Sequence, residues 1–313
     1  MSFEPLVSVI VPTYNEEADI RSTIDALLAL DYEKKEIIVV DSASTDKTVE
    51  ILKEYEKGNQ IILYLESSRC GVSSARNLGI REANGEIVII LNADVILPSD
   101  FIRRILTHYE KGADFVLVES RVENINHVFP QWIQAQHLFF YRDRDDILWT
   151  EGFSCRKEAA IDVGLFPEAL AANTAGEDAV FGERLNKKYK KVIDRTIVVT
   201  HVAPEKFIAF WRQRVGRGRG TSYKMFYINK IPLRALFSYL VGDLSLFFLQ
   251  TILVFPVLLK AIALARLTDS KIKNAFYFFF VTILDSLAQL IGEWQAYREL
   301  VRSEKEQKQR VKM

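Results

Sequence analysis

A chain of 313 residues with 49% hydrophobic and 26% charged side chains can bury a full core, which excludes a disordered or low-complexity polymer. The 41 Lys and Arg balance the 41 Asp and Glu overall, but from His201 onward 18 basic residues face 8 acidic ones. The body is therefore acidic and the tail basic.

Strand-like runs alternate with helix-like ones from the start, a pattern that predicts an α/β chain with a mainly parallel sheet and helical crossovers. The opening MSFEPLVSVIVPTYNEE lacks a basic region and a cleavable apolar stretch, so it does not read as a secretory leader. Residues 7–11 predict the first strand, with Pro12, Thr13, Tyr14 and Asn15 as its exit loop, and 17–30 predict a helix. Residues 36–40 form the second predicted strand, which runs into Asp41. The Ser/Thr/Asp cluster behind it caps a helix over 47–57. A third strand is expected at 61–65, a turn at Cys70-Gly71-Val72 and a helix at 73–83. Cys70 and Cys155 make no metal pattern and imply reduced thiols in a cytosolic setting.

The run 86–91 is almost wholly apolar and β-branched, which suits a central strand buried on both faces. Asn92 and Asp94 follow it one residue apart, so in extended chain they leave one face at the carboxyl edge, where open α/β sheets bind ligands. A carboxylate there can hold a hard divalent cation, and the cation a diphosphate. Pro98-Ser99-Asp100 also reads as a helix start, with Asp94 bonding its own backbone. The ends of three predicted strands thus carry polar residues, Tyr14 to Glu16, Asp41 and Asn92 to Asp94, and in a parallel sheet these share one edge.

Further along, helices are predicted at 101–109, 129–141 and 157–163, and strands at 114–119 and 152–156. Glu177 and Asp178 stand at the mouth of a helix reaching about 188. A last strand, 191–200, ends at His201. Residues 207–224, FIAFWRQRVGRGRGTSYK, form a basic stretch with interleaved aromatics that can bind nucleic acid, anionic lipid or phosphate. No nucleic-acid motif accompanies it, so no nucleic-acid partner is expected. Its GRGRG run follows a helix-like stretch and lacks the spacing of a dinucleotide loop. Residues 233–265 hold few charges, and 275–291 form a second apolar run around Asp285. Both approach the ~17–25 residues that span a bilayer. If they formed a hairpin, Arg266, Lys271 and Lys273 would lie outside, against the positive-inside tendency. Re-entrant or interfacial helices keep those cations on the cytoplasmic side. A buried helical cap or dimer surface is the soluble alternative. The organisation expected is a catalytic region over 1–230, apolar membrane-associated helices over 231–300 and a charged tail over 301–313.

The order of these elements over about 6–220 resembles the family-2 inverting glycosyltransferases with a GT-A fold. VSVIVPTYNEE is similar to the opening that holds the nucleotide, which implies nucleotide-sugar contacts at Pro12, Thr13, Tyr14 and Glu16. IIVVDSASTDKT resembles the segment whose aspartate meets the base, here Asp41. GVSSARNLGI resembles the helix that supports the donor site, with Arg76 near the diphosphate. LNADVILP is similar to the metal-binding aspartate motif, with Asn92, a further nucleotide-sugar contact, in place of its first acid and Asp94 as the main metal ligand. GEDAVFGERL resembles the acidic pair that supplies the catalytic base, here Asp178 with Glu177 beside it. RQRVGRGRG is similar to the basic segment facing diphosphate and acceptor, which implies Arg212, Gln213, Arg214 and Arg217, with Arg219. It lacks the tryptophan of the processive pattern. His201 is a further candidate metal or phosphate ligand.

The resemblance implies inverting transfer from a UDP- or GDP-sugar, with magnesium or manganese as cofactor. The acceptor expected is lipid-linked or a glycolipid, and the catalytic region lies on the cytoplasmic side of a membrane. Two adjacent carboxylates can raise one another's pKa and sharpen a base, although acids at a helix start also simply suit its dipole. The same residues admit two other readings. One is a catalytically silent, membrane-bound nucleotide-binding scaffold, favoured by Asn92. The other is a sugar-phosphate nucleotidyltransferase, whose glycine-rich first loop is replaced here by Pro12-Thr13-Tyr14-Asn15.

Overall fold

The computed structural model describes residues 3–140, 148–169 and 175–310. The chain divides into two compact units, the first drawn from Met1–Glu123, Asp145–Glu168 and Glu177–Val202 and the second from Asn124–Arg144, Ala169–Gly176 and Ala203–Met313. The predicted helix end at 141 and most of the loop 171–176 lie outside the described residues.

The first unit is built on strands β1 (Val7–Thr13), β2 (Lys35–Asp41), β3 (Ile62–Leu65), β4 (Ile87–Ile90), β5 (Val95–Ile96), β6 (Phe115–Val122), β7 (Phe153–Arg156) and β8 (Lys191–His201). They form one sheet in the order β3-β2-β1-β4-β7-β6-β8-β5. β1 runs parallel to β2 and β4, β2 to β3, and β6 to β8. β7 inserts antiparallel between β4 and β6, and β5 closes antiparallel on β8. The mainly parallel sheet expected from the sequence is therefore present, with two antiparallel insertions.

β4 sits in the middle, and its alternating side chains feed two separate cores, as a two-residue period requires. Ile87 and Ile89 join Val9 and Val11 against helices α1 (Ile20–Leu28), α2 (Thr48–Lys57) and α4 (Phe101–Glu110). Val88 and Ile90 join Ile10 and Ile38 on the other face, against α3 (Val72–Glu82), α6 (Lys157–Asp162) and α7 (Glu177–Asn186). Burial on both faces explains why the run carries no polar residue until Asn92.

The second unit is helical: α5 (Val128–Phe140), α8 (Phe207–Tyr223), α9 (Leu233–Leu253), α10 (Phe255–Ala265) and α11 (Lys271–Arg310), with a π-helical turn over Lys224–Ile228 after α8. Trp132 of α5 and Phe210 of α8 share a buried cluster with Ala261, Leu264 and Phe278. That cluster draws α5 and α8 into the helical unit, so the division falls after Val202 where the sequence suggests 230. The GRGRG run lies inside α8. A methyl group added at Gly218 would collide with the carbonyl of Gln289 on α11, so the two backbones touch where the sequence has no side chain. Between α9 and α10, Val254 adopts φ 60, a left-handed conformation that a β-branched residue rarely accepts, and Pro256 follows within the first turn of α10. α9 and α11 are long and apolar enough to cross a membrane, each containing an 18-residue stretch of mean hydropathy 1.6. Phe248, Leu249, Ile252, Leu253 and Phe255 are exposed around the α9–α10 break.

Candidate active site

The carboxyl ends of β1, β2 and β4 lie side by side, as their pairing dictates, with Thr13 opposite Asp41 in register. Thr13 donates its hydroxyl to Asp41 Oδ2 at 3.1 Å, and the Ser44 amide donates to Asp41 Oδ1 at 2.9 Å. Pro12, Thr13 and Asp41 are buried, whereas Tyr14 is partly exposed at the mouth. Asn15, with φ 58, receives the Thr45 amide on its side chain at 2.8 Å, and its own amide donates to Ser44 Oγ at 2.8 Å. The Glu16 amide donates to Thr48 Oγ1 at 2.8 Å. The two exit loops are thus knitted into one wall. Just ahead of helix α2, Asp46 of the Ser/Thr/Asp cluster accepts the Thr48 amide at 3.0 Å. Arg69, which the sequence pattern did not single out, lies 3.9 Å from the ring centre of Tyr14.

The second corner is formed by the chain leaving β4. Thr23 of α1 donates its hydroxyl to the Ala93 carbonyl and fixes the turn. The two-residue strand β5 then pairs Val95 with His201, which sets Asp94 beside the end of β8. Sequence reasoning did not find β5, since two residues are too few to show a period. Burial pushes the Asp94 carboxyl above the usual carboxylate range; His201 opposes the shift, and Glu151 adds to it. Burial and the charge of Asp94 raise Glu16 to about 7, with smaller contributions from Asp19 and Asp46. Among the described residues, no three His, Cys, Asp or Glu side chains converge in a ready-made metal cluster. A hard cation here would take Asp94 and His201 and complete its shell from diphosphate oxygens and water, as magnesium and manganese commonly do. The concentration of carboxylates fits such a cation.

Arg76 is the hub of the third corner. It is 2% exposed and donates to Glu177 Oε1 at 2.9 Å, Asn92 Oδ1 at 2.8 Å and Thr150 Oγ1 at 3.2 Å. Its guanidinium also lies over the Phe166 ring at 5.1 Å. The side chain expected beside a diphosphate is occupied inside the protein, tying α3, the end of β4, the turn before β7 and α7 together. Asn92, expected as a donor contact, is the acceptor of one of these bonds. Glu177 is likewise committed to Arg76, which leaves Asp178 as the acid of the pair with no side-chain partner among the described residues. The carboxyl of Asp178 is raised to about 7 by desolvation first and by Glu177 second, against the pull of Arg76 and the Ala179 amide. Its Oδ1 accepts that amide at 2.7 Å at the start of α7.

The basic residues of α8 do not share one environment. Arg212 and Gln213 are exposed, and Arg217 is partly exposed. Arg214, expected to face diphosphate or acceptor, is 1% exposed, with its guanidinium 3.8 Å from Asp285 and 5.0 and 5.2 Å from the rings of Phe210 and Trp132. It serves the interior of the helical unit. Arg219 pairs with Glu299 at 2.8 Å. An i, i+2 spacing of arginines on a helix puts them on different faces, which the linear motif conceals.

Known proteins resemble this chain in sequence and in fold. The sequence profile of "Glycosyl transferase family 2" matches residues 8–169. Glycosyltransferase GlyA of Streptococcus pneumoniae serotype 4 is 34% identical over 115 residues, 37% of this chain and 16% of that protein. The poly-beta-1,6-N-acetyl-D-glucosamine synthase of Staphylococcus aureus is 26% identical over 226 residues, 68% of this chain and 54% of the synthase. The chain thus spans about half the length of the synthase, and far less of GlyA. Among solved structures, the mannosyltransferase PcManGT from Pyrobaculum calidifontis, in complex with GDP-Man and Mn2+, superposes with a TM-score of 0.64 at 22% identity, covering 94% of this chain and 88% of that one. S. aureus TarS 1-349 in complex with UDP gives 0.53 at 18% identity, covering 92% and 91%. With a profile matching more than half its length and the GT-A fold around these residues, the chain belongs to glycosyl transferase family 2.

Proposed function

We propose that the protein transfers a glycosyl group, with inversion, from a UDP- or GDP-sugar to a membrane-borne acceptor, a lipid-linked saccharide or a glycolipid. The observation that carries the reading is Asp178: a carboxylate at the start of α7 with no ion pair among the described residues, raised to about 7, beside a partner acid already paired with Arg76. A base with that affinity takes a proton near neutrality. For a hydroxyl acceptor, the proton passes to Asp178 as the acceptor oxygen bonds to the anomeric carbon. The bond from that carbon to the diphosphate breaks on the opposite side, and the nucleoside diphosphate departs with the electron pair. Tyr14 and Arg69 offer flat surfaces to a nucleobase, and Asp94 with His201 would hold magnesium or manganese. When bound, that cation would supply Lewis-acid neutralisation of the departing diphosphate. The exposed apolar side chains of α9 and α10 support attachment to a membrane, where the acceptor would be met.

The test is a panel of UDP- and GDP-sugars with manganese, read by released nucleoside diphosphate. At least one donor is expected to turn over slowly even without acceptor. Asp178→Asn should cut transfer about a hundredfold to ten-thousandfold while donor binding persists. Retained transfer in that variant removes Asp178 as the base, and no turnover of any donor by the wild-type protein favours the silent nucleotide-binding scaffold.

A further inference from the structure

One acid in the first unit has no duty in the site as described. Glu151 lies in the short turn between Leu148 and β7, and every neighbour in that turn is pinned to a different element. Leu148 packs against Gly182 of α7 so closely that any side chain at 182 would collide with it. Trp149 is buried and donates its indole N–H to the Val118 carbonyl of β6 at 2.9 Å. Thr150 is buried and receives Arg76 of α3 at 3.2 Å. Gly152 adopts φ 76, and a methyl group there would come within 2.8 Å of Val118 and 2.9 Å of Val199. A glycine is therefore required at 152 on both conformational and steric grounds. The turn cannot shift relative to α7, which carries Asp178, or to β8, which carries His201.

Held this way, Glu151 is partly exposed, and among the described residues its carboxylate has no hydrogen-bond or ion-pair partner. Its neighbour Thr150 receives Arg76, which also bonds Asn92 and Glu177, so the turn that carries Glu151 stands beside the residues next to Asp94 and Asp178, and its charge bears on both of those acids. In the transfer proposed above, the diphosphate lies at Asp94 and the anomeric carbon faces Asp178. What fills the space between is the sugar ring, whose outward groups are hydroxyls. An ionised carboxylate is an acceptor only, and hydroxyls are the donors it needs.

We infer that Glu151 reads the sugar of the donor: its carboxylate accepts hydrogen bonds from ring hydroxyls of the glycosyl group and sets which hexose is taken. The inference rests on the proposed glycosyl transfer for the identity of its ligand. It also explains why an acid is tolerated beside two others. A pinned carboxylate that bonds a substrate hydroxyl rejects the analogue that lacks or inverts it, because the group is then left unpaired beneath the bound sugar.

The experiment is titration calorimetry with manganese, comparing bare UDP and GDP with UDP-glucose, UDP-galactose, UDP-N-acetylglucosamine and GDP-mannose, on the wild type, Glu151→Gln and Glu151→Asp. Thermal melting serves as the folding control. The wild-type protein should bind one nucleotide sugar more tightly than the bare nucleotide. Glu151→Gln should erase about tenfold or more of that increment and shrink the discrimination between epimers, with affinity for the bare nucleotide unchanged. Glu151→Asp, which shortens the reach, should change the rank order of sugars. A parallel loss of affinity for the bare nucleotide with manganese would assign Glu151 to the cation shell, and an unchanged sugar increment would leave it without a role in recognition; either result overturns the inference. Because the readout is binding, it is independent of the turnover test. A sugar increment that depends on Glu151 in a protein that turns over no donor would overturn the transferase reading alone.

Discussion

Asp178 and Glu177 are adjacent in sequence and opposite in state. Glu177 spends its charge on Arg76 at 2.9 Å, while Asp178 keeps a carboxyl that desolvation and its neighbour raise to about 7. A base is active only when deprotonated. The rate at subsaturating donor and acceptor should therefore climb with pH through an apparent pKa near 7 and level off above it. Glu177→Gln removes the neighbouring negative charge while leaving Arg76 an oxygen to bond, so that acid limb should move to lower pH. A pH profile of kcat/KM for both proteins checks the sign, and an unmoved limb would mean that another group titrates. At this scale the sequence exposed the acids, because their types and order follow a known pattern. It could not expose Arg76 as a hub or Arg214 as an interior residue. Both roles depend on which buried partners lie within 4 Å, and a guanidinium looks alike in a motif whether it meets phosphate or Asp285.

Strands were the most legible elements, since burial on two faces leaves an unbroken apolar run such as Ile87 to Leu91. β5 was invisible: it exists because β8 offers it a partner, not because its own residues insist. Helix α8 shows the converse, a stretch legible as helix-like whose glycines made sense only once α11 was in contact. Gly218 lies where a β-carbon would strike the Gln289 carbonyl, and Ser222 on the same helix donates to the Glu293 carbonyl at 3.1 Å. Gly218→Ala should gain helix propensity but force α8 and α11 apart, with a net loss of roughly 1–3 kcal/mol as for overpacked cores. Chemical denaturation followed by circular dichroism measures this. A stability equal to or above that of the wild-type protein would mean that the two helices part at no cost.

For the whole molecule, the acidic body and basic, apolar tail read from composition correspond to the sheet-bearing unit and the helical unit, although the division falls nearer 202 than 230. Composition could not anticipate that α5, encoded between two strands, belongs with the C-terminal helices. The proposed attachment to a membrane has a direct consequence. The protein should co-sediment with vesicles of neutral lipid, bind more with anionic lipid added, and stay bound in ~1 M salt, where only the apolar contribution survives screening. Release by salt alone would reduce the helical unit to an electrostatic anchor, and a soluble fraction indifferent to vesicles would end the membrane reading. The pairing of β5 with β8 has a different kind of consequence, one of timing. Val95 and Ile96 pair with His201 and Thr200 in a ladder of two residues at the outer edge of the sheet, joining segments far apart in the chain and setting Asp94 beside the end of β8. Such contacts are among the last to form and the first to open, at a small fraction of the cost of unfolding. The corner that would hold the cation is therefore a local equilibrium of its own. Amide protons of Val95 and Ile96 should exchange long before those of β4, even though the two strands are separated by only a few residues.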